Sequence, residues 1–205
     1  MPEDKPSRRE KTARTRSRML DAAYACFSET GYHATTMASI AVRADVAVQT
    51  LYFTFHSKDE LLQAVHERLV IGIDRVPPLE QEWHRLMVQT TDLSAAVHHM
   101  VVGHQAILER VAPLVPVFHS VTEEPAGESW RAGERRRHEG YRQLVVELSA
   151  KAPLRRNLGR AHATDLLFVL QGPEPYRALV LERAWTAARW RTWLERSILH
   201  DLFGR

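Results

Sequence analysis

The stretch TTMASIAVRADVAVQTLYFTF, residues 35–55, decides the fold. Thr36 is placed to cap a short helix that carries Met37, Ile40 and Ala41 at helical spacing. Ala44-Asp45-Val46 then breaks the chain, and another short helix runs from about Val48 to Phe53. A reversal this tight usually needs one residue at positive φ. Glycine adopts that most easily, Asn and Asp tolerate it, and Asp45 stands at the required place. Two short helices across such a turn have the layout of a helix-turn-helix, whose second helix presents its N-terminal half to the major groove. Val48, Gln49, Thr50, Tyr52, Phe53 and Thr54 give that helix polar and aromatic groups with no charge. Gln suits the paired hydrogen bonds offered by adenine, and Thr or an apolar group suits the thymine methyl. Tyr and Thr hydroxyls suit phosphate oxygens, as does Lys58 a little further on. Leu51 and Phe55 fall at core positions.

Upstream, Met19, Leu20, Ala23, Cys26 and Phe27 recur with helical period, and Gly31 is a natural stop. Residues 1–14 contain two prolines and few apolar groups, so they read as a disordered arm. Between Lys5 and Arg18 seven basic residues face one acid, Glu10, although the whole chain of 205 residues is only +3. A basic arm can neutralise phosphates and release counterions, and it can also be a solvated tail. Downstream, Ser57-Lys58-Asp59-Glu60 predicts a capping box opening the next helix. Leu61, Leu62, Val65, Leu69 and Ile73 give that helix its apolar face, and Pro77-Pro78 ends it.

The separated segments between Arg18 and Leu62 resemble the DNA-binding domain of TetR-family transcriptional regulators. The resemblance is carried by MLDAA at 19–23, FSETGY at 27–32, TTM at 35–37, Ile40-Ala41, and TLYFTFHSKDELL at 50–62. It implies a homodimer with one DNA-binding head per subunit and a larger helical ligand domain. Residue by residue, it implies a phosphate contact for Thr36. Val48, Gln49, Thr50 and Phe53 would face base or sugar edges, and Tyr52, Thr54 and Lys58 would hold the backbone. Three positions depart from the family pattern. Asp45 stands where glycine is usual, Ala47 where a serine often caps the helix, and Ala38 where a longer polar side chain often reaches DNA. Direct base readout is therefore expected to be thin, with more weight on DNA shape and the arm.

The rest of the chain keeps a helical period and shows no alternating strand, so the fold class is all-α. The expected organisation is an arm over 1–14, a helix-turn-helix domain over 15–60 and a helical effector-binding and dimerisation domain over 61–205. Trp83, Met87, Met100, His104, Phe118, Trp130 and Tyr141 are candidate lining for a small-molecule effector, each competing with an ordinary core role. Leu166, Val169, Trp190, Trp193 and Leu194 belong to the most apolar late segments and are candidates for a two-fold interface, again against a core role. Arg135-Arg136-Arg137 could meet an acidic ligand, against the commoner role of a solvated helix face.

Other functions find little support. One cysteine excludes an internal disulfide and argues against a structural zinc site. Eleven histidines show no metal-ligand spacing, and no nucleophile is paired with a base, so no metal, cofactor or catalytic residue is expected. No apolar run is long enough to span a membrane, and no signal peptide precedes the first helix, which fits a cytoplasmic protein. The expected function is a DNA-binding regulator, a repressor released from a palindromic operator by a small molecule. An activator, an effector-independent DNA-binding protein and an all-α enzyme are the rival readings.

Overall fold

The computed structural model describes residues 7–72 and 75–205. Every regular element among them is helical. The first helix, α1, runs from Arg8 to Ala34 and starts earlier than the apolar period suggests. Its start is fixed by a capping box: the Ser7 hydroxyl accepts from the Glu10 amide at 3.3 Å, and Glu10 accepts from the Ser7 amide at 2.6 Å. Residues 8–14, expected to be disordered, are therefore helical, while residues 1–6 of the expected arm lie outside the described residues. Gly31, at φ 78°, breaks the helix where a stop was expected.

Helix α2 (Met37–Arg43) is capped by Thr36, and Ser39 returns the bond. The turn into α3 (Val48–Phe55) holds Asp45 at φ 53°. Ala47 caps α3 with no side-chain hydrogen bond, as its missing hydroxyl predicts. Helix α4 (Lys58–Ile71) keeps half of its expected capping box. The Glu60 amide donates to Ser57 Oγ at 3.1 Å, but the Ser57 amide turns to the Phe55 carbonyl. Ala23, Phe27, Ile40, Leu51 and Leu61 are fully buried, and Arg43 grips Glu29 through two bonds of 2.5 and 2.7 Å, joining α2 to α1.

The chain forms two compact units. The first runs to Glu67 and takes in Pro116–Ser129; the second holds Arg68–Val115 and Trp130–Arg205. The border thus falls inside α4 and not at 60/61, and a middle segment joins the N-terminal unit. That segment includes most of α7 (Val115–Ser120). Within the first unit, Phe118 packs its ring 4.9 Å from buried His66, and His33 lies 3.6 Å from Glu124.

The second unit is built from α5 (Glu82–Gln89), α6 (Leu93–Val111), α8 (Glu128–Ser149, entering from the first unit), α9 (Arg160–Leu170), α10 (Pro173–Tyr176) and α11 (Ala187–Phe203). Residues 176–203 do not form one helix. A π-helical turn over Arg177–Glu182 follows α10, and Thr186 caps α11 after a break. Met87, Val97, Met100, Leu148, Leu167, Trp190, Leu194 and Ile198 share one core. Gly103 lets Trp83 lie against α6, since a Cβ there would fall 2.0 Å from the indole Cγ. No described helix is long and apolar enough to cross a membrane.

Candidate nucleic-acid interface and helical core

The α3 helix turns Leu51 and Phe55 into the core and leaves its other side open. Phe53 is 85% exposed and Tyr52 48% exposed. Gln49 and Thr50 are exposed beside them, while Val48 and Thr54 are half-buried. Two successive aromatic rings are thus left uncovered on one short helix. The Thr54 hydroxyl donates to the Thr50 carbonyl at 2.8 Å, and the Thr36 hydroxyl caps α2. Arg16 lies 4.5 Å over the Phe55 ring, and Arg18 reaches Asp45 at 3.5 Å. These contacts tie the basic side of α1 to the helix-turn-helix.

Lys58 departs from its expected phosphate role. Its ammonium donates to the carbonyls of Tyr32 at 2.9 Å and Thr35 at 3.0 Å and sits 4.1 Å over the Tyr32 ring. The Tyr32 hydroxyl in turn donates to Asp59. Lys58 thus closes the carbonyls left free where α1 ends.

In the second unit the structure brings together five of the seven candidate lining residues. Trp83, Met87, Met100 and Tyr141 are buried in one core, and His104 packs between Trp83 at 4.7 Å and Tyr141 at 5.4 Å. Burial pushes the His104 imidazole down to about 4, so it is neutral near pH 7. Burial pushes Tyr141 up to about 12. Phe118 lies in the other unit, against His66, and does not join this group. Trp130 is buried outside the same cluster.

Two interface candidates are corrected. Trp190 and Leu194 are fully buried within the protomer, where the inward stripe of α11 places them, and cannot touch a second copy. Val169 is 62% exposed, and Leu166 and Trp193 are half-buried. An open groove of about 940 Å³ runs along the outward side of α11, lined by Trp185, Arg189, Trp193, Arg196 and His200 among others. Arg137 is also corrected. It is no solvated side chain: it pairs with Glu134 through bonds of 2.9 and 2.6 Å and lies 3.6 Å over the Phe168 ring. Sequence reading does not reach Gln171, which precedes Gly172-Pro173 and reads as loop, yet is completely buried.

A short helix presented across a positive-φ turn, with its polar and aromatic side uncovered, has the layout of a helix-turn-helix. Residues 19–65 match the family described as bacterial regulatory proteins, tetR family. The chain is 39% identical over 85 residues to the HTH-type transcriptional repressor KstR of Rhodococcus jostii, a match spanning 40% of each chain. The chain thus aligns with only about two-fifths of that relative's length. Among solved structures, a protein described as a TetR-family transcriptional regulator from Mesorhizobium loti superposes with a TM-score of 0.71 at 18% identity, covering 97% of this chain and all of that one. The SmeT–triclosan complex superposes with a TM-score of 0.71 at 23% identity, covering 92% and 91%. At these identities the likeness concerns the fold: all-α, with an N-terminal helix-turn-helix joined by α4 to a larger helical domain.

Proposed function

We propose that this chain is a ligand-responsive transcriptional repressor, not an enzyme, that acts in the cytoplasm as a homodimer on a palindromic operator. The observation that carries the reading is the uncovered side of α3, where Phe53 stands 85% exposed on a helix otherwise anchored by buried Leu51 and Phe55. In this reading Val48, Gln49, Thr50 and Phe53 meet base or sugar edges, and Thr36, Tyr52 and Thr54 meet phosphates. Lys58 supports the head from within. The helical basic stretch Arg8–Arg18 adds charge for the DNA backbone. Leu166, Val169 and Trp193 are the remaining candidates for a two-fold contact. The effector enters the core around Trp83, Met87, Met100, His104 and Tyr141, and it acts through differential affinity for two conformations of the dimer. A TetR-fold neighbour solved with a small molecule and a curated relative named as a repressor support both halves of the proposal.

A titration of the DNA upstream of this protein's own gene tests it. With excess competitor DNA at near-physiological salt, the expected result is a saturable complex holding an even number of protomers per duplex. Complexes that competitor removes completely would contradict the proposal.

A further inference from the structure

We propose that the polar groups gathered around the Met100 carbonyl recognise an uncharged, mainly apolar molecule bearing one O–H or N–H donor, which Gln171 Oε1 accepts. The inference rests on reading the second unit as an effector domain. Gln171 is completely buried. Its backbone carbonyl accepts from the Tyr141 hydroxyl at 2.8 Å, and its Nε2 reaches the Met100 carbonyl at 3.5 Å. Its Oε1 has no partner. A buried acceptor without a donor is costly, and it is uncommon enough to ask for a reason.

His104 supplies a matching group. Its Nδ1 lies 3.1 Å from the same Met100 carbonyl, which can only accept, so Nδ1 carries the proton. The ring is held neutral by burial, which leaves Nε2 as a further acceptor. His104 nevertheless keeps part of its surface uncovered. That uncovered part leaves the ring within reach of a molecule arriving from outside the core. The Trp83 and Tyr141 rings flank the imidazole. Arg137, 5.5 Å from the Tyr141 ring, is already matched by Glu134 and by the Phe168 carbonyl at 2.8 Å. A carboxylate would find no uncommitted cation there, whereas a donor finds two acceptors. The same core holds an unpartnered donor, Trp190 Nε1. A hydroxyl supplies the donor that the Gln171 and His104 acceptors lack.

The test uses three probes on one frame: 4-phenylphenol, 4-methylbiphenyl and biphenyl-4-carboxylate. Each is titrated calorimetrically into the full-length protein. The phenol should bind at least tenfold more tightly than the other two. Gln171→Met should bring the phenol down to the level of the methyl compound and leave the methyl compound unchanged. If that variant does not fold, the ranking on the unaltered protein decides alone. The assignment is overturned if the carboxylate binds best, if phenol and methyl compound bind equally, if none binds up to its solubility limit, or if Gln171→Met keeps the preference. Selective phenol binding by protein that enriches no DNA sequence would leave this site standing and contradict the regulator reading. An enriched inverted repeat with no ranking among the probes would do the reverse.

Discussion

Phe53 and Lys58 lie five residues apart and do opposite things. Phe53 stands in water, so Phe53→Ala should leave thermal stability within about 0.5 kcal/mol. The same change should weaken operator binding at least tenfold, while non-specific binding stays as it was; paired melting and binding curves check both. Lys58 points inward onto two carbonyls. Lys58→Met should cost about 1–3 kcal/mol of stability and leave the salt dependence of DNA binding unchanged. His104 makes a third residue-scale prediction. Its folded-state value lies near 4, below the ordinary 6.5, because burial disfavours the imidazolium. The unfolded chain therefore binds this proton first, and stability falls as pH drops from about 6.5 towards 4, by at most about 1.4 kcal/mol per unit. Denaturant unfolding across that range should show His104→Leu losing less stability than the parent. The left-handed turn at Asp45 was legible because the spacing of two short helices demands it. The destination of the Lys58 amine was not, since a phosphate and a helix-end carbonyl attract a lysine equally well.

At the scale of elements, periodicity located nearly every helix, and the misses have physical causes. Ser7-Arg8-Arg9-Glu10 carries the same Ser-x-x-Glu pattern as Ser57–Glu60, but the charge and prolines around it outweighed the cap. In the structure the ordering reverses: the Ser7 box is complete and the Ser57 box is half made. Ser7→Ala should speed amide exchange over residues 8–14 and leave the rest of α1 protected. Late in the chain, the apolar stripe did not show which of its tryptophans turn inward, because core and interface positions share one composition. Gly103 allows a clearer test of packing. Alanine would gain roughly 0.5–1 kcal/mol of helix propensity, yet its Cβ would collide with the Trp83 indole, and overpacking of that kind costs about 1–3 kcal/mol. The collision should win, so Gly103→Ala should lower the denaturation midpoint and alter tryptophan fluorescence.

For the whole molecule, the sequence motif reached the DNA-binding unit but not its full extent. Nothing in Pro116–Ser129 announces that it packs with the N-terminal unit, because the pairing of Phe118 with His66 spans some fifty residues and leaves no local pattern. The proposed core site was half legible: Met100, His104 and Tyr141 stand out by residue type, whereas Gln171 gains its meaning only from where the fold buries it. The account's central claim is that one uncovered helix per protomer, doubled by a two-fold axis, reads DNA. Selecting bound duplexes from a random pool, with folded protein at near-physiological salt, tests that claim most directly. The account predicts an enriched inverted repeat whose half-sites lie about one helical turn, or a multiple of it, apart. A folded, dimeric protein that enriches no sequence would contradict it.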